Sequence, residues 1–375
     1  MSNWKVFNKT GETLVLVTKM LPGVEWLNIL IDANYKIEVN LSNEVTTKSE
    51  IIEKIGTNCR AIIGQLTENW DEELFQIFSS AGGVVYSNYA VGYNNVNVKA
   101  ATKSEIAIGN TPGVLTESTS EMAVALTMAC ARRIVEADSF MRKGDFKGWL
   151  PNLFLGKLLY GGTVGIIGAG RIGFTYALTM VQAFQMNLIY FSNRENLTLE
   201  DTIDDYNRFL QKTNSNSVFV KRAMTIEELL HESDVISLHV PLNEDTHHLI
   251  DENCFSKLKK DAILINTSRG PIIDEKSLTK HCKNNPKFMA GLDVFENEPF
   301  MYKGLVDLDN VVVAPHIASA TKWAREGMAK LAALNIKGVL ENYEFSKSND
   351  ISSFLSQNPP KAIPNIVNSE VLNSK

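Results

Sequence analysis

The chain has 375 residues, 44% of them hydrophobic and 21% charged, which is too long for one compact core and too apolar for a disordered chain, so we expect two domains. The net charge is −6, from 37 Lys and Arg against 43 Asp and Glu, and with no long basic run we expect no nucleic-acid partner. No apolar run approaches the roughly 20 residues of a membrane span, so no membrane partner is expected. Residues 1–10 lack the basic and apolar blocks of a secretory signal.

The cysteines predict neither a disulfide framework nor a metal site. Cys59, Cys130, Cys254 and Cys282 are scattered, with no pair at metal-ligand spacing. We expect a chain that works in a reducing compartment.

The N-terminal third alternates short β-rich runs with stretches of helical length, such as Thr47–Ile55 and Asp71–Ser79. This alternation predicts βα units and a parallel sheet. The predicted strands are Thr13–Val17, Tyr35–Val39, Ala61–Ile63, Val84–Ser87 and Ile106–Ile108.

A single long helix is predicted over Thr119–Arg142, opened by Ser118 and Glu121 at the spacing of a capping box. Its small residues would let another helix or domain pack closely. Gly144–Gly162 follows as an ordered loop.

The alternation then restarts and predicts a second doubly wound sheet. After it, Thr321–Leu340 has an amphipathic helical pattern, while Tyr343–Lys375 lacks periodicity and is expected to run along the surface. The predicted strands of this second sheet are Thr163–Ile167, Asn187–Phe191, Val218–Val220, Asp234–His239, Ala262–Asn266, Phe288–Leu292 and Val311–Ala314.

The first of these strands runs directly into a GxGxxG motif that opens a helix. Gly168 allows a tight turn, Gly170 lets the backbone approach a pyrophosphate, and Gly173 lets helix and strand pack closely, with Arg171 and Ile172 between them. The pattern alone could be an ordinary glycine-rich turn, but in this context it predicts a dinucleotide site.

The residues after the next strand bear on which dinucleotide is bound. An acidic residue here would hold the adenosine ribose and repel a 2′-phosphate, whereas this chain has Ser192, Asn193 and Arg194. We therefore expect NADP(H) to be favoured, with NAD(H) possible. The alternative is that Arg194 is a solvated loop charge and Glu195 supplies the carboxylate.

Three polar residues, Arg269, Glu298 and His316, lie at the ends of successive strands. The carboxyl ends of parallel strands line the ligand crevice of such a sheet, so these side chains can converge. Taken singly, they could be a surface ion pair, a solvated loop charge and a satisfied buried histidine. Together behind a nucleotide motif, we interpret them as catalytic.

Their chemistry fits reduction of a 2-keto acid. The keto oxygen needs a proton as hydride arrives at carbon, and the imidazolium of His316 can supply it, with Glu298 as its orienting partner. Arg269 can bind the substrate carboxylate and polarise the ketone.

Longer distinctive runs surround these motifs: Gly64–Glu68, Asn88–Asn95, Gly109–Thr116, Ala131–Asp138 and His316–Ala320. With the glycine motif and the catalytic set, they resemble the D-isomer-specific 2-hydroxyacid dehydrogenases over nearly the whole chain. Within that family the resemblance is strongest to the plant and cyanobacterial hydroxypyruvate reductases. It implies an NAD(P)-dependent reductase that converts hydroxypyruvate to D-glycerate, with glyoxylate as a second substrate.

The resemblance also implies roles for individual residues. Arg269, Glu298 and His316 match the family's catalytic set in chain order, and Asp293 matches the residue that hydrogen-bonds the nicotinamide carboxamide. Pro241 and Thr267 complete the expected cofactor-binding set.

On the substrate side, the amides of Val91 and Gly92 match the loop that receives the substrate carboxylate, and Leu66 and Thr67 match a second substrate loop. Trp149 matches an aromatic residue that reaches the partner subunit's site across a dimer. The alternative for Trp149 is ordinary interface packing.

The implied α/β architecture has two doubly wound parallel-sheet domains, with a Rossmann cofactor domain inserted in a flavodoxin-like substrate domain. The expected bounds are 1–120 and 319–375 for the substrate domain, and 121–318 for the Rossmann domain. The latter includes a dimerisation helix and loop at 121–162, so we expect a homodimer.

Two departures from the plant relatives matter. They have Asp where Ser192 stands, and they end in a peroxisomal Ser-Lys-Leu, whereas this chain stops at Ser374-Lys375. A cytoplasmic location is therefore expected, with a peroxisomal one as the alternative.

Two other functional classes stay open. One is another 2-hydroxyacid dehydrogenase, of the lactate, phosphoglycerate or formate type. The other is a non-catalytic, NAD(H)-sensing binding protein like the corepressors that share this fold.

Overall fold

The structure is a computed structural model that describes residues 3–346 and 350–374. The chain forms two compact units, the first from residues 1–115 and 320–375 and the second from residues 116–319. Each unit is built on its own mainly parallel β-sheet, so the α/β class predicted from the alternating pattern is confirmed.

In the first unit, the sheet order is β1-β3-β2-β4-β5-β6. Its parallel strands follow the flavodoxin order 2-1-3-4-5 when counted from β2. The antiparallel edge strand β1 was not predicted. The elements up to residue 115 are β1 (Trp4–Phe7), β2 (Thr13–Val17), α1 (Glu25–Asp32), β3 (Tyr35–Asn40), α2 (Lys48–Ile55), β4 (Cys59–Gly64), α3 (Glu72–Ser80), β5 (Val85–Asn88), α4 (Val98–Lys103) and β6 (Ala107–Gly109).

The predicted long helix is wrong in two respects. It is two helices, α5 (Thr116–Ala131) and α6 (Ile134–Arg142), because Arg133 takes a left-handed conformation with φ of 52°. The predicted capping box is absent, since the helix starts before Ser118, whose hydroxyl donates to the Ala318 carbonyl at 2.9 Å.

The second unit has seven parallel strands in the order β13-β12-β11-β10-β7-β8-β9. Counted from β7 this is the Rossmann order 3-2-1-4-5-6 with a seventh strand added. The elements are β7 (Thr163–Ile167), α7 (Arg171–Phe184), β8 (Asn187–Phe191), α8 (Leu197–Lys212), β9 (Val220–Arg222), α9 (Ile226–Glu232), β10 (Val235–Leu238), α10 (Glu252–Lys257), β11 (Ile263–Asn266), a 3-10 turn (Gly270–Ile272), α11 (Glu275–Asn284), β12 (Met289–Leu292) and β13 (Val311–Val313).

Both faces of this sheet are buried, as a doubly wound arrangement requires. Along β7, Val164 and Ile166 belong to one apolar cluster and Ile167 to the cluster on the other face. Strand β9 begins two residues later than predicted, because Val218 and Phe219 precede the ladder rather than join it.

The chain returns to the first unit through α12 (Lys322–Leu340), β14 (Glu344–Phe345), α13 (Ile351–Leu355), β15 (Ala362–Ile363) and a 3-10 helix (Ser369–Ser374). The prediction that the tail only runs along the surface is wrong for its described part, since Phe354, Ile363 and Val371 are buried. Single apolar residues in elements this short leave no periodicity to detect. Residues 347–349 and 375 of that prediction lie outside the described residues.

Helix α12 packs within its unit against α1, β4, β5 and β6. It carries two buried polar residues, Lys330 and Asn335, whose hydrogen bonds are made within the unit. None of the described helices is long and apolar enough to cross a membrane.

Candidate active site

His316 and Glu298 form a hydrogen-bonded pair at the carboxyl edge of the second unit's sheet. Nδ1 of His316 lies 2.8 Å from Oε2 of Glu298, and their side chains are 24% and 31% exposed. Burial alone would raise the pKa of the Glu298 carboxyl, but His316, the Phe295 amide and the charge of Arg269 together outweigh it and hold that pKa below its ordinary value. The pair joins a carboxylate to an imidazole that still meets solvent.

Arg269 follows β11 and lies near this pair. Its Nη1 donates to the Ser268 carbonyl at 2.7 Å. Burial lowers the pKa of the guanidinium and the negative charge of Glu298 opposes that change, while Arg269 in turn helps to lower the pKa of Glu298. The structure therefore brings together all three residues that the sequence singled out as catalytic.

The backbone at His316 is left-handed, with φ of 54°, a conformation that costs a non-glycine residue about 1–2 kcal/mol. Asp293, fully buried after β12, holds it in place. Its carbonyl accepts from the His316 amide at 2.8 Å, and its two carboxylate oxygens accept from Ile317 at 2.8 Å and Ala318 at 2.7 Å. Burial raises the pKa of the Asp293 carboxyl, and those two amides oppose the rise.

The glycine motif has the shape that a dinucleotide pyrophosphate requires. Gly168 has φ of 100°, and a Cβ there would lie 2.6 Å from the His239 carbonyl oxygen; a Cβ at Gly173 would lie 2.1 Å from the Gly168 carbonyl oxygen. A Cβ at Gly170 would meet nothing within 4 Å, so the space beside it is open. With Arg171 exposed and Ile172 half-buried at the start of α7, the motif fits a pyrophosphate on a helix N-terminus.

The loop after β8 carries Ser192, Asn193 and Arg194, the last two exposed. A residue that the sequence did not suggest, Arg222 at the end of β9, donates through Nη2 to the carbonyls of Ser192 at 3.0 Å and Asn193 at 3.3 Å. Its Nε is buried without a hydrogen-bond partner among the described residues. The guanidinium of Arg222 is thus fixed beside Ser192. The side chain of Glu195 is exposed.

Two further cofactor candidates follow neighbouring strands. Pro241 is exposed after β10 and its carbonyl accepts from the Thr246 hydroxyl at 2.6 Å. Thr267, after β11, has a buried hydroxyl oxygen with no partner among the described residues, which leaves that hydroxyl available to a ligand.

In the first unit, the two predicted substrate loops follow the paired strands β4 and β5. Leu66 and Thr67 lie in the first loop, Val91 and Gly92 in the second. Asn95 ties the loops together, because its amide donates to the carbonyls of Gln65 at 3.2 Å and Glu68 at 2.9 Å.

Comparisons with known proteins identify the family of this chain. The family model "D-isomer specific 2-hydroxyacid dehydrogenase, NAD binding domain" matches residues 124–318. The peroxisomal glycerate dehydrogenase HPR of Arabidopsis thaliana is 52% identical, over 98% of this chain and 96% of the relative. The chain belongs to the D-isomer-specific 2-hydroxyacid dehydrogenases.

Two other dehydrogenases of this kind are similar. The glyoxylate reductase of Thermococcus litoralis is 40% identical over 96% of this chain and 98% of its own. The structure of the NADPH-dependent glyoxylate/hydroxypyruvate reductase of Sinorhizobium meliloti, in complex with NADP and malonate, has 26% identity and a TM-score of 0.71, covering 88% of this chain and 95% of the other. This dehydrogenase is therefore an oxidoreductase whose second unit is an NAD-binding domain.

Sequence reasoning missed several residues of this dehydrogenase site. The sequence did not predict that Asp293 binds the backbone after His316, or that Arg222 lies against Ser192. An Asp after a strand and an Arg at a sheet edge are common, so neither gives a signal. Trp149 is 80% exposed in its loop. Among the described residues, no cluster of three or more His, Cys, Asp or Glu could hold a metal ion.

Proposed function

We propose that this dehydrogenase is a hydroxypyruvate reductase that forms D-glycerate, prefers NADPH and also reduces glyoxylate. The single observation that carries the proposal is the 2.8 Å contact between His316 and Glu298, with Arg269 beside it, in a chain 52% identical to a plant glycerate dehydrogenase. The malonate-bound relative from Sinorhizobium meliloti supports a small carboxylate as substrate.

In this proposal the nicotinamide cofactor, when bound, supplies the hydride that reaches the keto carbon. His316 gives a proton to the keto oxygen as it gains negative charge, and Glu298 keeps the imidazole oriented through Nδ1, leaving Nε2 for the substrate. The lowered pKa of Glu298 keeps that carboxyl ionised at neutral pH, so it can accept the hydrogen bond of the imidazole.

Arg269 has two tasks in this mechanism. Its planar guanidinium binds the substrate carboxylate and polarises the ketone. Partial burial strengthens both interactions, because less water competes for the cation. In the first unit, the amides of Val91 and Gly92 are proposed to bind a substrate carboxylate, and Leu66 and Thr67 to form a second substrate loop.

The cofactor part of the proposal is that Gly168, Gly170 and Gly173 accommodate the pyrophosphate and that the loop after β8 accepts a 2′-phosphate. The second point is supported by Ser192, which brings no negative charge, and by the guanidinium of Arg222 held against its carbonyl. Arg194 adds a second cation on the exposed side. Thr267 offers a hydroxyl without a partner among the described residues. Asp293, whose two oxygens each accept one backbone amide, is proposed from the family resemblance to hydrogen-bond the nicotinamide carboxamide.

We further propose a homodimer formed through α6 and the loop that follows it. Nine large apolar side chains within residues 134–160 are exposed, and exposed apolar residues concentrated in one segment are typical of an interface. Phe140 and Phe154 stack edge-to-face at 5.2 Å and hold the loop on α6, so the surface is ordered. The exposed residues are Ile134, Val135, Met141, Phe146, Trp149, Leu150, Leu155, Leu158 and Tyr160.

The experiment that tests the activity is a matrix of initial rates. NADPH and NADH are each assayed by absorbance with hydroxypyruvate, glyoxylate, pyruvate and phosphohydroxypyruvate. The expected result is the highest kcat/KM for hydroxypyruvate with NADPH, and glyoxylate second. A preference for pyruvate or phosphohydroxypyruvate would overturn the substrate, and tight NADPH binding without oxidation by any keto acid would indicate a sensing protein instead.

A further inference from the structure

A buried carboxylate outside the catalytic set lies under the loop that carries Glu298. It belongs to Glu275, the first residue of α11, which is 2% exposed. Nothing in the mechanism above uses this group. A carboxylate this deeply buried needs hydrogen-bond partners, so its partners indicate its role.

Both oxygens of Glu275 accept from the backbone of the Glu298 loop. Oε1 accepts from the Glu296 amide at 2.8 Å and Oε2 from the Tyr302 amide at 3.1 Å. The two donors stand on either side of Glu298 in the chain. Glu275 thereby fixes both ends of the short segment from which the Glu298 side chain extends.

The contact is reciprocal and extends to a histidine. The amide of Glu275 donates to Oε2 of Glu296 at 3.2 Å, and Oε1 of Glu296 lies 2.8 Å from Nε2 of His248. Inside the loop, the Phe295 amide donates to Oε1 of Glu298 at 3.1 Å. Hydrogen bonds between Glu275 and Glu296, the peptide bond from Glu296 back to Phe295, and the hydrogen bond of Phe295 therefore connect α11 to the carboxylate that meets His316.

The turn after Arg269 presses on the same loop. A Cβ at Gly270 would lie 1.8 Å from the Phe295 carbonyl carbon, so only glycine fits there. Residues 270–275 thus connect Arg269 and Glu275 through a segment that is packed against the Glu298 loop. A displacement of that loop would disturb Arg269 and Glu298 together.

An acid–base role for Glu275 does not fit its surroundings. Burial raises the pKa of its carboxyl, the amides of Glu296 and Tyr302 oppose the rise, and the nearby charges of Glu296 and Glu298 add to it. With both oxygens occupied by backbone amides, the group has no direct route to a substrate.

We propose that Glu275 is a positioning residue of the dehydrogenase, which holds the Glu296–Tyr302 segment so that Glu298 keeps its contact with His316. Of the tests of this proposal, only the activity measurement depends on the proposed function. Glu275 acts through Glu298 and touches neither substrate nor cofactor, so its removal should lower kcat while cofactor affinity is kept.

The test compares Glu275→Gln with the matched control Asp274→Asn. Gln keeps the shape but turns an N–H donor toward one of the two backbone amides. Asp274 caps the same helix, accepting from Lys276 at 3.1 Å and Ser277 at 3.3 Å, and among the described residues its side chain makes no hydrogen bond to the Glu298 loop. We expect kcat with hydroxypyruvate to fall about 10- to 100-fold in Glu275→Gln, with the NADPH Kd within about threefold, and Asp274→Asn to stay within about threefold in both.

A double variant separates positioning from general stabilisation. If Glu275 acts through Glu298, adding Glu275→Gln to Glu298→Gln should cost less than about a further twofold in kcat. Losses that multiply, or a folded Glu275→Gln with wild-type kcat, would overturn the proposal. Should Glu275→Gln not fold, Glu275→Asp, which keeps the charge but shortens the reach, must show an intermediate fall in kcat and the same non-additivity.

A measurement without turnover distinguishes this proposal from the proposed function. The imidazole proton of His316 bound to Glu298 gives a downfield proton NMR signal, which we expect in the wild type and in Asp274→Asn. Its loss in Glu275→Gln supports the positioning role even if hydroxypyruvate is not a substrate. An unchanged signal overturns it even if the reductase activity is confirmed.

Discussion

At the scale of the residue, His316 combines a reactive side chain with a backbone conformation that few residues adopt. Its φ of 54° is maintained by the hydrogen bonds of Asp293 to three consecutive amides. Two of these bonds, from Ile317 and Ala318, go to the carboxylate, and buried, charge-assisted hydrogen bonds contribute about 1.5–3 kcal/mol each. The imidazole thus occupies one place, which is what proton delivery to a fixed keto oxygen requires.

Replacing the acid should affect the chemical step. We expect His316→Ala to lower kcat by about 10²–10⁴, and Arg269→Ala to raise the KM for hydroxypyruvate as well, because the carboxylate loses its partner. Steady-state kinetics measures both effects. The exposed His231 on α9 is the control, and a His316→Ala enzyme as fast as His231→Ala would remove His316 from the mechanism.

Charge next to the adenosine ribose should set the cofactor. Ser192→Asp places a carboxylate where a 2′-phosphate would lie, so the ratio of kcat/KM for NADPH to that for NADH should fall about tenfold or more, which is about 1.4 kcal/mol or more. Ser192→Asn is the neutral control. An unchanged ratio in the Asp variant would contradict the 2′-phosphate site.

Glu68, in the first unit, should make stability depend on pH. Burial raises the pKa of its carboxyl from 4.5 to about 7, although the Gln65 amide and the Trp70 indole donate to it. Because the folded pKa exceeds the unfolded one, the contribution of Glu68 to the free energy of unfolding is greatest below pH 4.5 and is lost as pH rises toward 7. Glu68→Gln should remove about 2–3 kcal/mol of that fall between pH 4.5 and 8.

Urea unfolding at several pH values measures this change. Glu53→Gln, on the exposed face of α2, is the control and should retain the wild-type slope. Parallel curves for the wild type and Glu68→Gln would show that Glu68 does not titrate in this range.

Residue types at strand ends were enough to identify Arg269, Glu298 and His316 from the sequence. The residues that support them were not predictable in the same way. Glu275 begins a helix after an Asp cap, where a glutamate is favourable for local reasons alone. Its bonds to Glu296 and Tyr302 depend on a loop packing that no local pattern encodes.

At the scale of the element, two glycines of the β7–α7 turn have different roles. Gly173 is needed for packing, since a Cβ would lie 2.1 Å from the Gly168 carbonyl oxygen, whereas Gly170 borders open space. Gly173→Ala should therefore lower the free energy of unfolding by about 1–3 kcal/mol. Gly170→Ala, at the N-cap of α7, should cost less, about 0.5–1 kcal/mol. It should weaken NADPH binding about tenfold or more, because its Cβ would stand where the pyrophosphate approaches.

Thermal unfolding and cofactor titration of the two variants check this pair. Equal losses of stability would mean that the motif is only a packing turn. The two substitutions add the same single methyl group, so each is the control for the other.

Elements with strong periodicity were predicted to within a residue or two, as with β7, β8 and α2. The failures have physical causes. The break between α5 and α6 depends on one left-handed residue, Arg133, with no glycine or proline to mark it. The edge strand β1 is antiparallel and only partly buried, so its sequence lacks the apolar run of a central strand.

At the scale of the whole molecule, the exposed apolar surface of α6 and its loop should control assembly. Leu158 is 80% exposed on this surface, and Leu158→Glu places a charge in the proposed interface. We expect the Kd of the dimer to rise about 100-fold or more, which is about 2.7 kcal/mol or more. Light scattering over a dilution series measures the change. The control is Val306→Glu, since Val306 is 68% exposed elsewhere in the same unit. If the two variants dissociate over the same range of concentration, this surface is not the dimer interface.

The position of α12 has a consequence for how the protein is made. This helix packs against α1, β4, β5 and β6, yet it leaves the ribosome only after the inserted unit, residues 116–319, has been synthesised. Residues 1–115 therefore lack α12, and part of their apolar surface stays uncovered, until residues 320–340 have been made. The second unit needs no later segment and can fold as soon as it is complete. Synthesis that stops near residue 320 would release a chain whose second unit is finished and whose first is open to aggregation or to capture by a chaperone.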